Sequence, residues 1–320
     1  MGIGAARRSL ACILLLALVT AQPACAESFS VLSQNMNRLF DDVDNGNREA
    51  IVSSAEFHRR IARAVRKFAE EYALPQVIAL QEVENLNVLR QISSGIHQQY
   101  AIDYQPILIP GRDPSSINLA YLVRSDLSIR KTRQLFHNQW LPGDAGPLFS
   151  RPPLQLDACI RTRCLALVNL HLRSMRGINS ADKGAGVARK RLRQAQTVAR
   201  WVNQFQQANP DARLMLLGDF NALTPADRHV DVAGIILGNP DNSRARLASP
   251  DLVDPDLIDL TRQIPASRRY SYIFRQKKQQ LDYLFGSEAL ATAVDRIRFG
   301  AIDYAFSDHA GLLAIFQWQE

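Results

Sequence analysis

Leu214-Met215-Leu216-Leu217-Gly218-Asp219-Phe220-Asn221-Ala222 sets four apolar residues directly before a glycine and a carboxylate. A short continuous apolar run closed by glycine reads as a buried strand, so Asp219 stands at a strand end. Nearer the carboxy terminus, Ser307-Asp308-His309 precedes the apolar run 312–316 and joins a second acid to an adjacent imidazole. Two acid-bearing strand ends, one with a histidine, point to hydrolytic chemistry.

Working outward, strand-like and helix-like segments alternate without an evident linker. Residues 29–35, 77–80, 117–123, 164–172, 271–274 and 281–285 read as further strands. Ile61, Val65, Phe68 and Tyr72 recur at helical spacing before Pro75, and a helix–strand pair follows the run 77–80. Leu192, Ala195, Ala199 and Val202 make another helical stripe, closed by Asn209-Pro210. No internal repeat or low-complexity tract interrupts the pattern. The segment 223–267 differs: Asn239-Pro240-Asp241-Asn242-Ser243 and Ser249-Pro250-Asp251 are turn signals, and a long loop forming a substrate-facing wall is expected.

At 320 residues, 47% hydrophobic and 22% charged, the chain can bury a full core as one large domain or two ordinary ones. Residues 1–26 read as a signal peptide, with Arg7 and Arg8 before the apolar run 10–20 and Ala24-Cys25-Ala26 as the cleavage site. That run is too short to span a bilayer, so export to the periplasm or medium is expected, with Glu27 as the mature start. Gln22-Pro23-Ala24 is a poor approach to a lipid anchor on Cys25.

Cleavage leaves only Cys159 and Cys164, flanking Ile160-Arg161-Thr162-Arg163 between two apolar stretches. In an oxidising compartment the pair is expected as a hairpin disulfide, contributing on the order of 2 kcal/mol in the chain-entropy account. The formal charge of +7 loses Arg7 and Arg8 and no acid with the signal, leaving +5. Much of the excess is local, in Arg189, Lys190, Arg191, Arg193 and Arg200 and in Arg275, Lys277 and Lys278. Such runs suit an anionic partner and equally describe a solvated helix face.

Within residues 164–173, Ala166, Val168, Leu170 and Leu172 share one face, and Asn169, His171 and Arg173 the other. His171 thus points away from one core layer, as either a structural or a catalytic imidazole. In Leu80-Gln81-Glu82-Val83-Glu84 the acids end a strand, where a carboxylate is a solvated cap or a ligand. Asp282 lies inside the apolar run of Leu281-Asp282-Tyr283-Leu284. An unpaired buried carboxylate costs several kcal/mol, so Asp282 needs an imidazole, an arginine or a metal.

Taken together, these pieces resemble the endonuclease/exonuclease/phosphatase family, which has the fold of deoxyribonuclease I, and within it the secreted bacterial nucleases. The resemblance rests on Gln34-Asn35-Met36-Asn37-Arg38-Leu39-Phe40, Leu80-Gln81-Glu82-Val83-Glu84-Asn85, Asn169-Leu170-His171-Leu172-Arg173-Ser174, Gly218-Asp219-Phe220-Asn221, Leu281-Asp282-Tyr283 and Ser307-Asp308-His309. They follow the family's order and cover nearly the whole mature chain. The resemblance implies a four-layer α/β/β/α sandwich of two mixed β-sheets flanked by helices, with residues 27–320 as one domain and the site at one end of the sheets.

It also implies roles. Glu82 would be the principal ligand of a divalent cation, with Asn35, Asn37 and Asp308 near it. Oxygen donors with few carboxylates favour Mg²⁺ and accept Mn²⁺, and no Cys/His cluster suggests zinc. Water would attack a phosphodiester in line. His309, paired with Asp282 or Asp308, would activate or orient it, and Asp219 could share that work. Asn221 would donate to a phosphoryl oxygen, and His171 would hold the other face of the phosphate or protonate the leaving oxygen. Arg151, between Ser150 and Pro152-Pro153, resembles a phosphate-contacting position and is otherwise an exposed arginine before a strand; Arg193 has the same two readings. One position departs from the pattern: His309-Ala310-Gly311 carries glycine where the family usually has proline.

The family hosts nucleases, sphingomyelin phosphodiesterases and inositol-phosphate phosphatases, so fold alone does not choose the substrate. Positive charge and the Arg151 motif lean towards nucleic acid. The expected protein is a secreted, monomeric, metal-dependent nuclease acting on DNA and within reach of RNA, with no stable membrane insertion. The alternatives are a phospholipid or small-molecule phosphodiesterase and a basic binding relative without turnover. A sphingomyelinase would show an exposed aromatic hairpin, and 223–267 contains no such cluster.

Overall fold

The run 214–217 is the centre of a sheet. In the computed structural model, which describes residues 1, 27–44, 46, 52–141, 143, 146–223 and 227–318, the elements are as follows. The strands are β1 (Glu27–Leu39), β2 (Val77–Val83), β3 (Tyr104–Leu108), β4 (Asn118–Arg124), β5 (Ser128–Gln134), β6 (Leu154–Ile160), β7 (Arg163–His171), β8 (Arg213–Asp219), β9 (Ile258–Asp259), β10 (Tyr272–Phe274), β11 (Lys277–Gln279), β12 (Asp282–Gly286), β13 (Val294–Phe299) and β14 (Leu312–Trp318). The helices are α1 (Ser54–Glu70), α2 (Leu86–Tyr100), α3 (Gly184–Ala208), α4 (Val232–Leu237) and α5 (Glu288–Ala291). Residues 2–26 of the proposed signal peptide, with Cys12 and Cys25, lie outside the described residues.

One sheet runs β13-β14-β1-β2-β4-β3 and the other β5-β6-β7-β8-β12-β9. Each holds one parallel pair, β1 with β2 and β7 with β8, among antiparallel neighbours. Their facing sides meet through Val31, Val77, Ala79 and Tyr121 on one side and Leu156, Leu167, Met215 and Leu217 on the other. The outer face of the first sheet, with Leu32, Ile78 and Leu80, is covered by Phe57, Ile61, Val65 and Phe68 of α1 and by α2. The outer face of the second, with Val168, Leu170, Leu214 and Leu216, is covered by Ala195, Val198 and Val202 of α3 and by α4. These are the four layers of an α/β/β/α sandwich. Strands buried on both faces read as unbroken apolar runs, which is why β2 and β8 are legible in the sequence.

The first sheet takes its strands from both ends of the chain. The polar or alternating strands β5, β6 and β13 escape a search for apolar runs; β5, Ser-Ile-Arg-Lys-Thr-Arg-Gln, is an edge strand with alternate residues exposed. Cys159 and Cys164 stand opposite one another across the β6–β7 hairpin and form a disulfide. No helix among the described residues is long and apolar enough to cross a membrane.

The described part of the segment 223–267 is anchored in the core rather than standing free as a loop. Val230, Val232, Ala233, Ile235, Ile236, Val253 and Leu257 are buried in the core layer beneath α3. Gln196 and Gln206 of α3 hold it by donating to Ser249 Oγ at 3.2 Å and the Pro255 carbonyl at 2.6 Å. Asp231 caps α4 by accepting from Gly234 N–H. Turn residues dominate its composition, but a short apolar stripe decides where it packs.

Candidate active site at the strand ends

The ends of β7, β8 and β12 are in register: His171 stands opposite Asp219, and Asp219 opposite Asp282. Gly218, at φ 128°, makes this close approach possible, since a Cβ there would lie 2.1 Å from the Leu170 carbonyl oxygen. All three polar side chains are buried. Asp219 Oδ1 accepts from Asn221 N–H at 2.8 Å, and its Oδ2 accepts from Asn35 Nδ2 at 3.1 Å. Imidazoles flank that oxygen: His171 Nε2 is 3.5 Å away and His309 Nε2 4.0 Å. His309 Nδ1 pairs with Asp282 Oδ2 at 2.7 Å.

Glu82 enters from the facing sheet by a break in strand alternation. Gln81 points between the sheets and Val83 packs under the helices, so Glu82 is the additional residue of a bulge, with φ 60°. Its Oε1 accepts from Asn35 Nδ2 at 3.3 Å and lies 3.7 Å from His171 Nε2; its Oε2 accepts from Arg38 N–H at 3.0 Å. The partner turn is also left-handed, at Asn37 and Arg38. Arg60 of α1 clamps it, donating to the Met36, Asn37 and Arg38 carbonyls at 2.8, 2.8 and 2.7 Å.

These environments separate the two histidines. Burial, with Arg151 and His309 nearby, holds His171 well below the usual imidazole range, so it is neutral at pH 7. Burial opposes charge on His309 too, but the Asp282 carboxylate, with Asp219 and Asp308 behind it, outweighs that and carries its pKa to about 10. Burial pushes Asp219 up to about 7, with Asp282 and Glu82 adding to the effect and cationic His309 opposing it. The cluster therefore holds one neutral imidazole, one imidazolium and a carboxylate poised near neutrality, an arrangement suited to moving protons.

A model of the Endonuclease/Exonuclease/phosphatase family matches residues 30–296. The chain belongs to that family. Three solved structures are similar to it over the whole sandwich. An endonuclease/exonuclease/phosphatase from Bacteroides vulgatus is 14% identical, with TM-score 0.59, covering 92% of this chain and 100% of its own. D. rerio TDP2 complexed with single strand DNA product is 18% identical, with TM-score 0.56, covering 90% and 98%. The 3′ phosphatase NExo from Neisseria, bound to a product DNA hairpin, is 16% identical, with TM-score 0.55, covering 91% and 100%. No curated protein matches. Family membership makes phosphate-ester hydrolysis the chemistry to be expected of the cluster.

The structure brings Asn35, Glu82, His171, Asp219, Asp282 and His309 together, with half-buried Asp308 beside them. Asn221 adjoins Asp219 and donates its amide to the Leu172 carbonyl at 3.2 Å. Asn37 is exposed, and its backbone N–H donates to Asn35 Oδ1 at 2.9 Å. Arg151 directs Nη1 to Asp113 and donates to the His171 and Leu172 carbonyls at 3.2 Å each, so much of its fork already holds the end of β7. Arg193 is exposed on α3. Among the described residues, no cluster of three or more His, Cys, Asp or Glu has metal-holding geometry. The oxygen donors present are instead the Glu82 carboxylate in its bulge and the half-buried Asp308 carboxylate, while Asn35 turns Nδ2 to Glu82 and Oδ1 to Asn37 N–H; so few hard oxygens fit a cation retaining several waters.

Sequence reasoning missed the side chains that set this geometry. Ser307 Oγ donates to the Asn35 carbonyl at 2.7 Å and accepts from His309 N–H at 3.0 Å, tying the last motif to the first. Ser271 Oγ accepts from Leu281 and Asp282 N–H at 3.1 and 3.2 Å, and the Tyr272 ring lies 5.0 Å from that of His309. Arg191 belongs to no solvated face: it is 1% exposed, pairs with Asp227 at 2.6 Å and donates to the Asn221 carbonyl at 2.8 Å. Asn169 is a bolt between the sheets, accepting from Gln81 Nε2 at 2.8 Å and donating to the Leu80 and Ala120 carbonyls at 2.9 and 3.1 Å. Gly311 stands where proline was expected because Gln34 and Tyr72 fill the space; a Cβ would meet them at 2.5 and 2.6 Å.

Proposed function

We propose that the protein is an exported, divalent-cation-dependent phosphodiesterase that hydrolyses nucleic acid, DNA above all and also RNA, as a monomer after loss of residues 1–26. The observation that carries this reading is Asp219 Oδ2 lying between a neutral and a protonated imidazole, with Glu82 Oε1 facing the same Nε2 of His171. Asp219 takes the proton of the attacking water, helped by a pKa near the working pH. His309, held cationic by Asp282, stabilises the phosphoryl charge as it builds. Neutral His171 offers Nε2–H from the opposite side, and the free hydrogen of the Asn221 amide adds a further donor. Glu82, with Asp308 and Asn35, would hold the cation, Mg²⁺ by preference and Mn²⁺ as a substitute, which offsets negative charge on the reacting phosphate. Arg151 supports this by fixing the end of β7, and Arg193 lies further out as a phosphate contact.

The mature chain, incubated with plasmid, single-stranded DNA, RNA and sphingomyelin, each with Mg²⁺, Mn²⁺ or chelator, tests the reading. Nucleic-acid cleavage that stops in chelator is expected. Cleavage surviving chelation removes the cation from the scheme. Hydrolysis of sphingomyelin alone would favour a lipid phosphodiesterase, a second reading supported by Phe274, which is 49% exposed at a hairpin tip outside 223–267. Expression in a bacterial host should release a protein beginning at Glu27.

A further inference from the structure

The β10–β11 hairpin belongs to neither large sheet, yet it touches the catalytic cluster. Its base is Tyr272, whose ring lies 5.0 Å from that of His309. Alternation along β10 puts Phe274 on the same face as Tyr272, about 7 Å further out. Lys277 is the register partner of Phe274 and shares that face, while Ile273 and Lys278 point to the other. The face directed from His309 to the tip therefore presents a ring, then an exposed ring beside an ammonium group. Arg275 adds a guanidinium 5.3 Å from the Phe274 centroid, and Lys278 lies 4.4 Å from that of Tyr270.

Charge and backbone agree with this geometry. Between Leu260 and Leu281 the chain carries Arg262, Arg268, Arg269, Arg275, Lys277 and Lys278 and no acid. The loop residues Arg275 and Gln276 both have positive φ, 46° and 63°, the pattern of a two-residue turn for which Asn-Gly is the easy choice. Long polar side chains stand there instead.

We propose that this hairpin is a clamp for the single-stranded segment of nucleic acid that flanks the scissile phosphate, with Phe274 stacking on an unpaired base and Lys277 and Arg275 meeting the adjoining phosphates. The proposal rests on the reading of the cluster as a nucleic-acid phosphodiesterase. It names the preferred form of the substrate as unpaired, because a base inside a duplex already has both faces stacked and offers none to Phe274.

Binding and turnover are measured separately. Fluorescence anisotropy of a labelled single-stranded oligodeoxynucleotide, in chelator, gives Kd for the wild-type chain and for Phe274→Ala, Phe274→Trp and Lys277→Gln. Phe274→Ala should weaken binding about five-fold or more and Phe274→Trp should restore it, while Lys277→Gln should flatten the salt dependence. In Mg²⁺, Phe274→Ala should lower kcat/KM for the oligonucleotide well beyond its effect on a dinucleotide. Wild-type affinity in Phe274→Ala, or equal losses on both substrates, overturns the clamp. So does loss of flotation with phosphatidylcholine–sphingomyelin vesicles while oligonucleotide affinity is intact, which would make the hairpin a membrane arm. A wild-type chain that cleaves nucleic acid while Phe274→Ala binds normally sinks the clamp alone. A chain that binds through Phe274 yet cleaves no nucleic acid sinks the nuclease reading and leaves the clamp standing.

Discussion

His309 Nδ1 and Asp282 Oδ2 are 2.7 Å apart in a buried environment, and this pair fixes the charge of the imidazole that faces Asp219. With a pKa of about 10 in the fold against 6.5 in a free side chain, His309 stays protonated through neutrality. Its contribution to stability is complete below pH 6.5 and is lost as pH rises towards 10. Imidazole NMR of the metal-free protein should accordingly find His309 cationic at pH 8, and the melting temperature should fall across that window. In Asp282→Asn the strongest influence favouring the cation is gone and burial is opposed only by Asp219 and Asp308, so the titration should move down from the wild-type position. A wild-type His309 that titrates near 6.5 would contradict the pairing.

Asp219→Asn keeps the shape and removes the proton acceptor. Turnover should fall by about 10²- to 10⁴-fold, the usual worth of a positioned base. Circular dichroism should remain that of the wild type. His309→Ala should be similarly inactive, and near-normal rates in either would place the chemistry elsewhere.

Glu82→Gln leaves the bulge and the Arg38 N–H contact possible but removes the carboxylate charge. Half-saturation by Mg²⁺ should rise at least about ten-fold, read from activity and, independently of turnover, from calorimetric titration of the ion. An unchanged ion affinity would exclude Glu82 as a ligand.

Arg191→Met leaves Asp227 buried without its partner, the two side chains being 1% and 3% exposed. The loss should be about 3–5 kcal/mol by urea denaturation. Arg191→Met combined with Asp227→Leu should recover much of it, because an apolar pair of similar volume carries no unpaired charge. Loss of less than about 1 kcal/mol in the single variant would show the pair to be solvated.

Local pattern by itself determined the central strands, the helical stripes of α1 and α3 and the acids that end β2 and β8. Burial on one or both faces imposes a period on the side chains, and that period survives in the sequence. The order of the six short motifs identified the sandwich, and the isolated Asp282 in an apolar run announced a buried partner. Only the tertiary structure decided that this partner is His309, because the pairing depends on where the loop before β14 meets the end of β12. It also decided that Asn169 bolts the sheets together, that Arg191 leaves the solvated face for Asp227, and that the apolar stripe from Val230 to Leu257 packs beneath α3. The charge states were equally hidden. His171 and His309 are the same residue type near the same carboxylate, and the buried Asp282 at hydrogen-bonding distance, with Asp219 and Asp308 beyond it, makes one a cation, while burial beside Arg151 and that cation keeps the other neutral.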